Sequence, residues 1–122
     1  MKKNSFKTQY NHREGNLIQV LFLKIIYEKP SCGYEIIENI KEITDTEHRI
    51  KTGTAYTLLR RMEKRGLVKS AWKENEKKPD KRIYTITPKG TEHLRIWLEF
   101  IIQRKRIVNK LVSFYKKFRE KL

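Results

Sequence analysis

The last third of this chain leaves little choice of conformation. After Gly90 there is neither glycine nor proline, and Leu94, Trp97, Ile101, Val108, Leu111, Tyr115, Phe118 and Leu122 follow alternating steps of three and four residues, interrupted only at Arg104. That period places the apolar side chains along one side of a helix. Thr87-Pro88 supplies a capping hydroxyl and then a proline at the first helical position. The spacing predicts one helix of roughly 30 residues, near 45 Å long. A second set, Ile96, Phe100, Ile107 and Phe114, widens its apolar surface beyond a two-residue seam. A chain of 122 residues has too small a core to cover such a helix, and a second copy is the economical partner.

Charge narrows the classes of partner. Lys and Arg number 29 against 14 Asp and Glu, a formal net charge of +15. A field of that sign favours polyanions, either nucleic acid or an acidic membrane surface. No run approaches the 18 or so apolar residues of a membrane span. The basic N-terminus lacks a contiguous apolar stretch with a cleavage site, so export is not expected and the cytoplasm is the default. The single Cys32 permits no internal disulfide and no cysteine metal cluster.

The stretch from Lys51 to Gly66 reads as a short helix with two faces. Ala55, Leu58, Leu59 and Met62 fall on a side that can be buried, while Thr54, Tyr56, Thr57, Arg60, Arg61 and Lys64 occupy the other, with Thr52 as a cap. Hydroxyls followed by cations suit the bases and phosphates of a duplex groove. A solvated helix with ordinary surface charges is the alternative.

What precedes and follows favours the groove. Residues 1–13 hold four basic and no acidic residues and read as an arm. Leu17, Val20, Leu21, Leu23, Ile25 and Ile26 predict a nearly buried helix from Glu14, ending at Lys29-Pro30. Ser31 is positioned to cap a second helix, with Tyr34, Ile37, Ile40 and Ile43 as its apolar stripe. The polar segment from Thr44 to Ile50 joins it to the third helix, as in a helix-turn-helix. Leu67 to Lys73 and Lys81 to Thr85 then bracket a polar turn of residues 74–80, predicting a hairpin. From Lys64 to Arg82 eight basic residues face three acidic ones. Beside a groove-reading helix such a hairpin is a wing, with Lys73, Lys77, Lys78 and Lys81 as phosphate contacts; a solvated turn is the alternative. The expected architecture is mostly α with a β-hairpin wing: the arm, a winged helix-turn-helix over residues 14–87, and a long dimerisation helix over 88–122.

Catalytic and metal chemistry find no positive signal. His12, His48 and His93 are scattered without carboxylate or cysteine partners at ligand spacing. There is no glycine-rich phosphate loop and no serine, histidine and acid set, so neither enzyme activity nor a cofactor is expected. Cys32 reads as a buried or idle thiol before a redox sensor. Tyr56 either meets a phosphate or fills the space between the third helix and the wing. Trp97 reads as core of the interface between copies, with a platform for an effector as the alternative.

Taken in order, these residues resemble the PadR family of winged-helix transcriptional regulators, in particular its shorter members with one long C-terminal helix. The resemblance covers roughly residues 14–100. It is carried by Gly15-Asn16-Leu17, by Gly33-Tyr34-Glu35-Ile36, by Gly53-Thr54-Ala55-Tyr56 with Leu58-Leu59-Arg60-Arg61-Met62-Glu63-Lys64-Arg65-Gly66-Leu67-Val68, by Trp72, and by Lys81-Arg82-Ile83-Tyr84-Thr85-Ile86-Thr87-Pro88-Lys89-Gly90. The resemblance implies a homodimeric repressor of a palindromic operator. It implies DNA contacts through Thr52, Thr54, Tyr56, Thr57 and Arg60 and through Lys77, Lys78 and Lys81, and a small hydrophobic or aromatic effector at the dimer interface near Trp97. The chain departs from the family pattern at Thr52, where a proline is usual, at Ala55, where a leucine is usual, and at Lys77-Lys78-Pro79-Asp80, where the family often has a Gly-Arg-Pro turn.

Two other readings follow from the charge alone. One is a DNA-coating segregation or accessory protein of a mobile element. The other is an adaptor whose tail, with eight basic residues and one acidic from Arg104 to Leu122, binds a protein or lies on an acidic membrane. The membrane is the less economical partner, because it leaves the wing without a purpose.

Overall fold

The computed structural model describes residues 15–43, 50–74 and 80–122. The expected N-terminal arm, His12, His48, Lys77 and Lys78 lie outside the described residues. Helix α1 spans Gly15–Glu28 and forms the middle of the core, with Phe22, Leu23 and Ile26 fully buried. Phe22 is a core residue that the apolar spacing did not single out, whereas Leu17, expected inside, is exposed one turn before the packed part of the helix begins. Pro30 follows the end of α1, as a residue without a backbone N–H should.

The next segment departs from expectation. Ser31 does not cap a helix: Ser31 and Cys32 form a short strand β1, and the Ser31 hydroxyl donates to the Lys29 carbonyl at 2.7 Å. Helix α2 spans Gly33–Ile43, and Glu35 Oε1 accepts from the Cys32 amide at 3.3 Å, satisfying a donor just before the helix. Its buried residues are Ile36, Ile37 and Ile40. Tyr34 lies roughly a third of a turn off that face and Ile43 projects past the end of the core, so both are exposed.

Helix α3 spans Thr52–Lys64 and buries Ala55, Leu59 and Met62. Lys51, with extended backbone, holds the N-cap position and makes no side-chain cap hydrogen bond, so Thr52 is the first helical residue and not the cap. At the other end Gly66 adopts φ 78°, Gly66 N donates to the Glu63 carbonyl at 2.9 Å and Leu67 N to that of Met62 at 2.9 Å. This left-handed glycine stop turns the chain directly into the hairpin.

Strands β2 (Val68–Lys73) and β3 (Lys81–Ile86) pair antiparallel from Val68↔Ile86 to Lys73↔Lys81, and β1 adds to the far side of β3 to give the order β1-β3-β2. Alternation puts Val68 and Tyr84 into the core and leaves Lys69, Ala71 and Lys73 outside. Helix α4 spans Pro88–Glu120, 33 residues. Thr87 Oγ1 accepts from Gly90 N at 3.0 Å and also donates toward the Gly66 and Leu67 carbonyls, at 2.6 and 3.0 Å. Gly90 is buried against the turn that leads into β2, where a Cβ would stand 2.0 Å from the Leu67 carbonyl oxygen, so only glycine allows this approach. The start of α4 is thereby locked to the end of α3. Leu94 and Trp97 close the core from this side, and from Ile102 to Leu122 every residue is exposed.

Candidate nucleic-acid interface

The solvent face of α3 is built as its spacing requires. With Ala55, Leu59 and Met62 inside, Thr52, Thr54, Tyr56, Arg60, Arg61 and Lys64 are exposed and Thr57 is half-buried. The Thr57 hydroxyl donates to the Gly53 carbonyl at 2.9 Å and accepts from the Arg60 guanidinium at 3.3 Å, which lays Arg60 along the helix. The uncapped first turn leaves amide donors at the positive end of the helix dipole, the end that suits a phosphate. Tyr56 packs against α2: a Cβ on Gly33 would stand 2.4 Å from its ring. Its ring thus fills space beside the α2 start while remaining 38% exposed.

The hairpin stands beside this face and is tied to it. Glu63, on α3, accepts from the Ser70 amide at 3.2 Å and from its hydroxyl at 2.7 Å; Arg82, on β3, donates to the same hydroxyl at 2.7 Å and approaches Glu63 at 3.4 Å. One carboxylate therefore sets the angle between helix and strands. Lys73 and Lys81 face each other in the last pair of the ladder, both exposed. Like charges directly opposite are unfavourable in isolation, and a bound anion would relieve them.

Groups near this surface have shifted proton affinities. Hydrogen bonds from Cys32, with Lys29 and Lys81 nearby, hold the Glu35 carboxyl below the ordinary carboxylate range. Burial pushes the Tyr84 phenol up. Cys32 itself is buried beneath the groove between α2 and the strands.

Two of the residues expected in the pairing row of the long helix are elsewhere. Leu94 and Trp97 are each only 6% exposed and belong to the chain's own core with α1, so they are not available as a surface seam. The reason is that the first three turns of α4 are spent covering α1. Ile101 is partly buried, and Val108, Leu111, Tyr115 and Phe118 are exposed, with Phe114 and Phe118 stacked at 5.8 Å between centroids. Among the described residues no cluster of metal-ligating side chains occurs, and no helix is long and apolar enough to cross a membrane.

The model of the transcriptional regulator PadR-like family matches residues 22–96, more than half of the chain and the whole span from the core of α1 through the wing to Ile96. This chain belongs to the PadR-like family. Its solved relatives agree in fold. A transcriptional regulator from Clostridium thermocellum is 34% identical, with 78% of this chain and 89% of that one covered at a TM-score of 0.69. A PadR family transcription regulator from Clostridium difficile is 30% identical over 78% of this chain and 97% of its own, also at 0.69. A PadR-like regulator from Bacillus cereus is 26% identical over 80% and 93%, at 0.71. An uncharacterised protein of Lysinibacillus sphaericus is 30% identical over 80 residues, 66% of this chain and 72% of that one.

As a PadR-like protein the chain is a DNA-binding transcriptional regulator and not an enzyme. The family match ends at residue 96, while α4 continues to Glu120. The exposed half of the PadR-like chain's long helix therefore lies beyond the span of the family model. Among residues of the α3 and wing face, Tyr34, Trp72 and Arg82 were not singled out as site candidates from sequence. The spacing of Tyr34 places it in the core stripe, and Trp72 and Arg82 enter only as residues of the expected hairpin and of the family resemblance. Alternation offers no signal for the exposed ring: Trp72 shares its side of β2 with the buried Val68, while Lys69, Ala71 and Lys73 take the other.

Proposed function

We propose that this PadR-like protein represses transcription as a homodimer on a two-fold symmetric operator. Each copy would present Thr52, Thr54, Tyr56 and Thr57 toward base edges and phosphates, with Arg60, Arg61, Lys64, Lys73 and Lys81 on the backbone, and Lys77 and Lys78 at the wing tip. The observation that carries the reading is the combination of an exposed hydroxyl-and-cation face on α3, a basic hairpin tied to it through Glu63, and a long helix whose apolar row Val108, Leu111, Tyr115 and Phe118 is exposed among the described residues. Pairing of that row between two copies would fix the spacing of two reading helices, as half-sites about one duplex turn apart require.

The test is a mobility-shift titration with the DNA upstream of the protein's own gene, set against a shuffled duplex at several salt concentrations. Preference for the upstream DNA, with affinity falling steeply as salt rises, is the expected result. Thr54→Ala should alter the ranking of operator variants, whereas Lys81→Ala should weaken all duplexes alike and lower the salt slope by about one. Equal binding to shuffled DNA at every salt would contradict sequence-specific repression and favour DNA coating.

A further inference from the structure

Between α3, the first turn of α2 and the strands of the wing lies an open groove of about 490 Å³. Its edges are unusual for a groove on a basic face. Trp72 is 66% exposed and Tyr34 is 67% exposed, although both are large rings that the core could have taken. Tyr56 and Arg60 line it from α3, and Lys81 and Arg82 from β3.

Trp72 is held in place, not loose. It is paired in register with Arg82 on the neighbouring strand, and the Arg82 guanidinium lies over its ring, 5.8 Å from the centroid. Arg82 is in turn fixed by Ser70 at 2.7 Å and by Glu63 at 3.4 Å. A chain of contacts from α3 through two strands thus orients an indole ring toward solvent. Beyond the Arg82 contact, an exposed ring so positioned gains little for folding; the rest of its apolar surface contributes only when something covers it.

The chemistry of the groove says what that cover is. Three cations, Arg60, Lys81 and Arg82, outweigh the one carboxylate, Asp80. The phenol hydroxyls of Tyr34 and Tyr56 and the indole N–H are hydrogen-bond donors. Donors and positive charge around an apolar ring match a sugar-phosphate unit: an anionic head that takes charge-assisted hydrogen bonds, and a deoxyribose whose carbons pack on an aromatic face. The groove also runs beside the α3 face, where the backbone strand bordering a read major groove has to pass.

We infer that this groove is a seat for one sugar-phosphate unit of the duplex backbone, with the deoxyribose on Trp72 and the phosphate on Arg60, Lys81 and the Tyr34 hydroxyl. The seat presupposes that the α3 face meets duplex DNA, and it adds Tyr34 and Trp72 to that face. Its contribution is independent of base sequence and anchors the register of α3 in the groove.

The chain has two tryptophans, and Trp97 is buried, so acrylamide quenching of the native protein reports mainly on Trp72. A mixed-sequence duplex carrying a dye, added at low salt, allows binding and quenching to be followed in one titration. Trp72 should lose its access to acrylamide in step with the anisotropy of the dye. Trp72→Ala, which removes an exposed ring and leaves the core untouched, should weaken binding about tenfold on every duplex. It should leave the salt slope unchanged, with Trp72→Phe recovering part of the loss. If the duplex binds while Trp72 stays fully open to acrylamide, or if Trp72→Ala binds as well as the native chain, the seat is wrong although DNA binding stands. If no duplex binds at any salt, both fail.

Discussion

His93 is the residue whose chemistry is most exposed to experiment. It is buried in the first half of α4, and burial, followed by the charges of Arg65 and Lys89, lowers its pKa below 6.5, with Glu92 acting weakly in the other direction. The folded state therefore binds fewer protons than the unfolded chain in the interval just below pH 6.5. Stability from this group is complete above that value and is lost as pH falls through the lowered pKa. The midpoint of thermal unfolding should drop between pH 7.5 and pH 5, and His93→Gln should flatten that part of the profile. Glu35 and Glu92 have lowered pKa values, so their contributions are lost only at pH values more acidic than this window. An unchanged slope in the variant would show that burial of this imidazole is not what couples folding to pH. Residues of this kind are only partly legible in a sequence. The Thr87-Pro88 cap is local and was readable, whereas the close approach that makes Gly90 necessary depends on the Leu67 carbonyl more than twenty residues away.

At the scale of elements, the joint between α3 and the hairpin carries the most information. Glu63, Ser70 and Arg82 come from three elements, and their half-exposed contacts contribute modestly to stability, on the order of 1 kcal/mol for the ion pair. Their larger effect is geometric. Glu63→Gln should shift the unfolding midpoint little and weaken binding to all duplexes, because the wing is no longer held at a fixed angle; protection of DNA flanking the α3 footprint, read by hydroxyl-radical cleavage, should fade first. Full flanking protection in the variant would show that the strands do not need this tether. The hairpin, α3 and α4 were legible because each has its own period and its own stop signal: Gly66 for α3, residues 74–80 for the hairpin, Thr87-Pro88 for α4. β1 was not, since two residues cannot display alternation, and its pairing to β3 is a tertiary event. The misplaced stripe on α2 has the same origin: Tyr34, Ile37 and Ile40 have helical spacing, but Ile36 faces the core and Tyr34 faces the wing.

For the whole molecule, the sequence conveyed a winged helix with a long appended helix, and it overestimated how much of that helix is left over. Its first turns belong to the core through Leu94 and Trp97, and only the part from Ile102 onward is exposed throughout. That part combines an apolar row with eight basic residues between Arg104 and Leu122, so pairing it with a second copy brings like charges together. Self-association should therefore strengthen with added salt, while duplex binding weakens with it. Because Leu111 and Phe118 are exposed, replacing both with glutamate should leave the fold of the single chain intact while disrupting the pairing. The most direct measurement of the central claim is the mass, by light scattering, of the native chain and of L111E/F118E, each alone and on a duplex holding two half-sites. The account predicts a dimer and two copies per duplex for the native chain, and a folded monomer with sharply weakened, one-copy binding for the variant; a native chain that is monomeric at micromolar concentration, or a variant that still binds as a pair, would contradict it.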